Sequence, residues 1–209
     1  MRAKELCHKI LSKTSIHQKR ITVMSEIIET ILQSKELSVT RVGRKMKNHC
    51  QTRSNIRKVD RLYSNGHLCQ EHEIISQCVC EWLIKSETPL IVVDSSKACN
   101  SPWYFLRASL VSQGRALCIF ELIYSQRENA SKKLYRRFLQ KLKSILPVSC
   151  KPVLISDAEF RASWFEAVED LGWDYVGRLR GQRQCALGTN AFMSMKMPFP
   201  LCGKGNASR

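Results

Sequence analysis

Two aspartates stand where metal-assisted chemistry is easily built. Asp94 closes the apolar run PLIVV at 89–93, and Asp157 closes the run PVLIS at 152–156. Short, continuously apolar runs of this kind read as strands buried in the middle of a sheet. If the two strands run parallel and adjacent, their carboxylates emerge at one sheet edge, where open α/β sheets hold ligands. Such a pair suits Mg²⁺ or Mn²⁺, which takes a few carboxylate oxygens and fills its remaining positions with water and phosphate. Two ions about 3.5–4 Å apart can activate an attacking oxygen and stabilise a leaving one. A single Asp at a strand end is commonly a turn residue or a cap, so the pairing carries the reading.

The elements that must position these carboxylates follow from residue periodicity. After the first strand come two β-rich runs, WYFLRASLV at 103–111 and ALCIFELIY at 116–124, joined through Ser112, Gln113, Gly114 and Arg115 as a hairpin. Ser131 opens an amphipathic helix whose Leu134, Phe138, Leu142 and Ile145 form one stripe, with Lys132, Lys133, Arg136 and Lys143 largely opposite, and Pro147 ends it. The strand before Asp157 follows, then a helix ASWFEAVEDLG closed by Gly172, then the strand DYVGRLR. The predicted order is β-β-β-α-β-α-β.

The first 85 residues read instead as short helices. Ile21, Met24, Ile28, Ile31 and Leu32 recur at helical spacing and predict a core-facing stripe. Ser38 is placed to cap a helix VTRVGRKM and Ser54 a second helix NIRKVDRLY, with Ile56, Val59 and Leu62 or Tyr63 facing inward. These two helices carry Arg41, Arg44, Lys45 and Lys47, then Arg53, Arg57, Lys58 and Arg61, which can track a phosphate backbone or enter a groove. A solvated basic face is the plain alternative.

The whole chain of 209 residues has 34 Lys and Arg against 18 Asp and Glu, a net charge of +16, and the first 70 residues hold 15 of the bases and five of the acids. A polyanionic partner follows, nucleic acid before acidic membrane. No run approaches the roughly 20 apolar residues of a membrane span, and the N-terminus lacks the pattern of a secretion signal, so a cytoplasmic protein is expected. The ten cysteines show no disulfide framework and read as reduced thiols, several of them buried. His67, Cys69, His72, Cys78 and Cys80 on one helix invite a zinc site, but paired C-x-x-C spacing is missing. From Gly188 onward the sequence loses all period and reads as an irregular tail.

The blocks KVDRLYSNGHL, PLIVVDSS, LRASLVSQGRAL, SKKLYRRFLQKLKSILP and PVLISDAEFRASWFEAVEDLGWDYVGRLRG, in this order over roughly residues 15 to 187, resemble cut-and-paste DDE transposases of insertion-sequence family four. The resemblance implies an α/β fold: a helical DNA-binding region at 1–85, then an incomplete RNase H-like mixed sheet at 86–187. It implies that Asp94 and Asp157 are the first two carboxylates of the catalytic triad, holding Mg²⁺ or Mn²⁺. It also implies double-stranded DNA at transposon ends as partner, with a homodimer or a mixed assembly with full-length transposase. Relative to the family, Ser95 and Lys97 replace a tryptophan and an acidic residue, and Glu159 replaces a glycine. The family's last glutamate lies on a later helix, and no acidic residue follows Asp174, so a chain cut short of its third carboxylate is expected. The other readings are a catalytically inactive protein that occupies transposon ends and an RNase H-like nuclease of another pathway.

Overall fold

The structure, a computed structural model, describes residues 3–12 and 14–178 and the strand backbone at 184–186 and 192–194. Five helices come first: α1 (Ala3–Leu11), α2 (Gln18–Ser34), α3 (Val39–Lys45), α4 (Thr52–Tyr63) and α5 (Gly66–Leu83). Their small core joins Ile27 of α2, Val42 of α3, the following Met46, and Val59 and Leu62 of α4. Two expectations shift. On α2, Ile27 is buried, whereas Leu32 is 61% exposed, because the packed face turns toward α1, α3 and α4 rather than following the stripe to its end. Ser54 lies inside α4, which begins after Gln51, and Ser38 precedes α3 without a side-chain capping bond.

The sheet follows in the predicted order. β1 (Leu90–Lys97), β2 (Trp103–Ser112) and β3 (Arg115–Ser125) form an antiparallel meander. Its β2–β3 turn places Gly114 at φ +67, a left-handed conformation that glycine adopts without strain. α6 (Lys132–Ile145) then crosses to β4 (Val153–Ser156), and α7 (Ala162–Glu169) crosses to β5 (Asp174–Gly177). β4 is parallel to β1 and β5 is parallel to β4, giving one mixed sheet of order β3-β2-β1-β4-β5. Beyond it β6 (Gln184–Ala186) pairs antiparallel with β7 (Phe192–Ser194), so the stretch from Gly188 read as an irregular tail holds a strand; the rest of that stretch lies outside the described residues.

Strand alternation divides the sheet into two faces. Ile91 and Val93, Leu106 and Ala108, and Leu154 share a core with Leu134, Phe138 and Leu142 of α6 and Trp164 and Val168 of α7. The Ser131 hydroxyl caps α6 by accepting from the Leu134 N–H at 3.2 Å. On the opposite face, Leu90, Ile123 and Val176 are 45%, 57% and 58% exposed. α5 joins the two regions: its Glu71 pairs with Arg20 of α2, its Glu73 pairs with Lys141 of α6, and its His72 ring meets Phe120 of β3 at 5.7 Å. Among the described residues, no helix is long and apolar enough to cross a membrane.

Candidate functional site

β1 and β4 are neighbours and parallel, with Ile91 opposite Leu154 and Val93 opposite Ser156. Asp94 and Asp157 are each one residue past that last pair. They are therefore level on strands whose backbones lie about 4.8 Å apart, but only Asp157 stands at a strand end: Asp94 lies within β1, which runs on to Lys97 because β2 goes on pairing with it. Both are exposed. The apolar residues of the runs hold the strands in the core, and alternation turns Asp94 away from the face that α6 and α7 cover. Asp157 also makes a turn, its Oδ1 accepting the Glu159 N–H at 2.9 Å, which fixes the carboxylate and leaves Oδ2 without a protein partner among the described residues.

The row continues across the sheet. Asp94 is registered with Arg107 of β2, and Arg107 with Glu121 of β3. The Arg107 Nε donates to Glu121 in a close ion pair on the partly open face. That bond, and after it the charges of Glu121 and Asp94, raise the pKa of Arg107, so its positive charge is firmly held beside Asp94. Glu121 is a third carboxylate in the same row, two strands from Asp94, with the guanidinium between them. Among the described residues no group of three or more His, Cys, Asp or Glu side chains can hold a metal ion. Two adjacent carboxylates still match the donor set of Mg²⁺, which is commonly held by one or two carboxylates, with water and substrate phosphate supplying the rest. Arg107 and Glu121 were not singled out from the sequence; their signal is a charge of each sign inside the apolar strands FLRASL and IFELIY, at positions alternation assigns to the outer face.

Behind this row lies a cavity of about 310 Å³, lined among others by Ser95, Tyr124, Asn129, Tyr135, Glu159 and Arg161. The Ser95 and Tyr124 hydroxyls lie 2.6 Å apart, and Tyr124 donates to Asn129 Oδ1 at 3.2 Å. Burial raises the pKa of Tyr124 and of Tyr135, and the Ser95 bond partly offsets it at Tyr124. Both phenols therefore stay protonated at neutral pH. Ser95 thus bonds to the far strand β3, and Glu159 faces this cavity.

The basic residues of α3 and α4 divide by partner. Arg41 pairs with Glu36 at 3.3 Å and Lys58 with Glu26 at 3.3 Å. Arg44, Lys45, Lys47, Arg53, Arg57 and Arg61 are exposed and take part in no ion pair among the described residues.

Eight cysteines have described side chains and all are free thiols; Cys80 and Cys150 are buried. Burial, with the nearby Cys150 and Glu81, pushes the Cys80 thiol up to about 12 from an ordinary 9.0. The unfolded thiol ionises first, so the folded state holds more protons between those values and stability should fall as pH rises from about 9 to about 12. Urea unfolding at rising alkaline pH should show this decline, with a shallower one in Cys80→Ala. Equal slopes would assign the alkaline loss to other groups.

No protein-family model matches the chain, and no curated protein matches it at a significant level. The class that the fold itself defines is a mixed α/β protein, with seven α-helices and an open five-stranded sheet among the described residues.

Proposed function

We propose that this chain carries the DNA-binding region and two of the catalytic carboxylates of a cut-and-paste DDE transposase of the insertion-sequence-four type, with an RNase H-like sheet. The observation that carries the proposal is the parallel pairing of β1 and β4, which sets Asp94 and Asp157 level just past the last paired residues of adjacent strands. The element order and the strand order β3-β2-β1-β4-β5 agree with that fold. In this reading Asp94 and Asp157 hold a divalent ion, which supplies Lewis-acid stabilisation of a phosphodiester oxygen when bound. Arg107 offers an additional positive charge to the phosphate, and Glu121 orients it. The free bases of α3 and α4 bind duplex DNA.

A second reading is a protein that occupies transposon ends without cutting them. It is favoured by the Arg107–Glu121 ion pair, which engages the third carboxylate of the row with a guanidinium. The two readings meet in one experiment, Mn²⁺ binding and end cleavage by the 209-residue polypeptide on end-bearing duplex DNA. Weak Mn²⁺ binding is expected, reduced about tenfold or more by Asp94→Asn or Asp157→Asn, with no cleavage, because two carboxylates leave the two-metal site incomplete. Mn²⁺ binding that survives both substitutions would remove the metal site. Metal-dependent cleavage lost in Asp157→Asn would instead show a complete active site and exclude the non-cutting reading.

A further inference from the structure

We propose that α3 and α4 form a helix-turn-helix unit in which α4 reads the major groove of duplex DNA, with Arg57 at the centre of the reading face. This rests on the reading that the helical region binds duplex DNA, and it adds which helix reads bases and which residues only hold phosphates.

The pair is built as one rigid unit. A Cβ on Gly43 of α3 would lie 2.6 Å from Ile56 Cα, so the two helices touch backbone to backbone where they cross. Val42 and Met46 on one side, and Val59 and Leu62 on the other, close the small core beneath the crossing. The connecting segment at 46–51 is longer than the three or four residues usual for such a unit. It is pinned nonetheless: the Asn48 Oδ1 accepts from the Asn55 side chain at 2.8 Å and from the Cys50 N–H at 3.1 Å.

Arg53, Arg57 and Arg61 recur every four residues and form one exposed stripe on α4. At about 100° per residue Arg57 lies roughly opposite the buried Val59 and Leu62, so it projects farthest from the protein. Like charges at this spacing destabilise a helix. Two other bases of this region are neutralised, Arg41 by Glu36 and Lys58 by Glu26. The stripe is left unneutralised, and Asp60, the acidic residue of α4, pairs with none of its arginines. Duplex DNA supplies the missing counter-charge, and the planar guanidinium fork matches the two acceptors that guanine shows in the major groove. Gln51 and Ser54, both exposed, flank the stripe with donors and acceptors for neighbouring base edges. Arg44, Lys45 and Lys47, on α3 and just after it, are placed to hold the adjoining phosphates.

The test uses the full 209-residue chain, a duplex selected from a randomised library, and a scrambled duplex of equal length, with binding followed by fluorescence anisotropy over a range of salt. Arg57→Ala should lose about tenfold or more on the selected duplex and much less on the scrambled one. Arg57→Lys should keep the salt dependence but lose discrimination, since an ammonium lacks the bidentate fork. Lys45→Ala and Lys47→Ala should weaken both duplexes alike and reduce the salt slope by about one each. The melting temperature of Arg57→Ala without DNA should equal or exceed that of the unaltered chain, which excludes misfolding as the cause. Failure to select a preferred duplex, or an Arg57→Ala effect equal on both duplexes, would overturn the reading-helix assignment while leaving DNA binding intact. No duplex binding at low salt, or preference for single-stranded RNA or anionic vesicles, would overturn the DNA reading beneath it.

Discussion

Duplex-DNA affinity should fall about five hundredfold when salt is raised from about 50 to about 200 mM. Each phosphate contact made by a Lys or Arg releases condensed counterion and contributes about −0.9 to the slope of log affinity against log salt. Six bases of α3, α4 and their connection are exposed and outside any ion pair among the described residues. If the five other than Arg57, which is assigned to base edges, reach phosphates, the slope is about −4.5. Arg41 and Lys58 should contribute less, because each would first have to leave Glu36 or Glu26. Anisotropy titrations at four or more salt concentrations give the slope directly. A slope shallower than about −2 would mean that most of these charges are only a solvated surface.

Trp164→Ala should be the most damaging single truncation in the sheet region, costing about 3–5 kcal/mol. Trp164 is fully buried on α7 and meets three rings: Phe160 at 4.8 Å, Tyr135 at 5.3 Å edge-on and Phe138 at 6.2 Å. Removing it empties the contact between α7, α6 and the segment that follows Asp157. For a chain of this size the melting temperature should drop by roughly 2–4 °C for each kcal/mol. Trp164→Phe should be far milder. It keeps much of the ring volume and removes an indole N–H that is buried without a hydrogen-bond partner, so part of the packing loss is recovered. Urea unfolding of both variants checks the pair. Similar losses in the two would mean that indole shape, rather than buried volume, holds this junction.

The helix α6 shows why much of the fold could be read in advance. Leu134, Phe138, Leu142 and Ile145 repeat at the helical period and are all buried, and Lys132, Lys133, Arg136 and Lys143 opposite them are all exposed. A helix with one wet face has little freedom in which side it buries. α2 had no such contrast. Apolar residues surround much of it and four helices touch it, so tertiary packing chose Ile27 over Leu32.

For the candidate site, the sequence by itself determined that two aspartates directly follow apolar strand-forming runs and that two successive helices carry the concentrated positive charge. It did so because apolar runs, turn residues and helical period are local properties of the chain. Only the tertiary structure decided that β4 lies beside β1 and not beside β3, which sets Asp157 level with Asp94. It also decided that Arg107 and Glu121 complete the row, that Ser95 bonds to Tyr124, and that Lys58 is paired with Glu26 while Arg57 is free for a ligand. The physical reason is common to all four. Strand neighbours and ion-pair partners here are separated by 14 to 63 residues along the chain, and their choice is set by how helices cover the sheet, which no local pattern encodes.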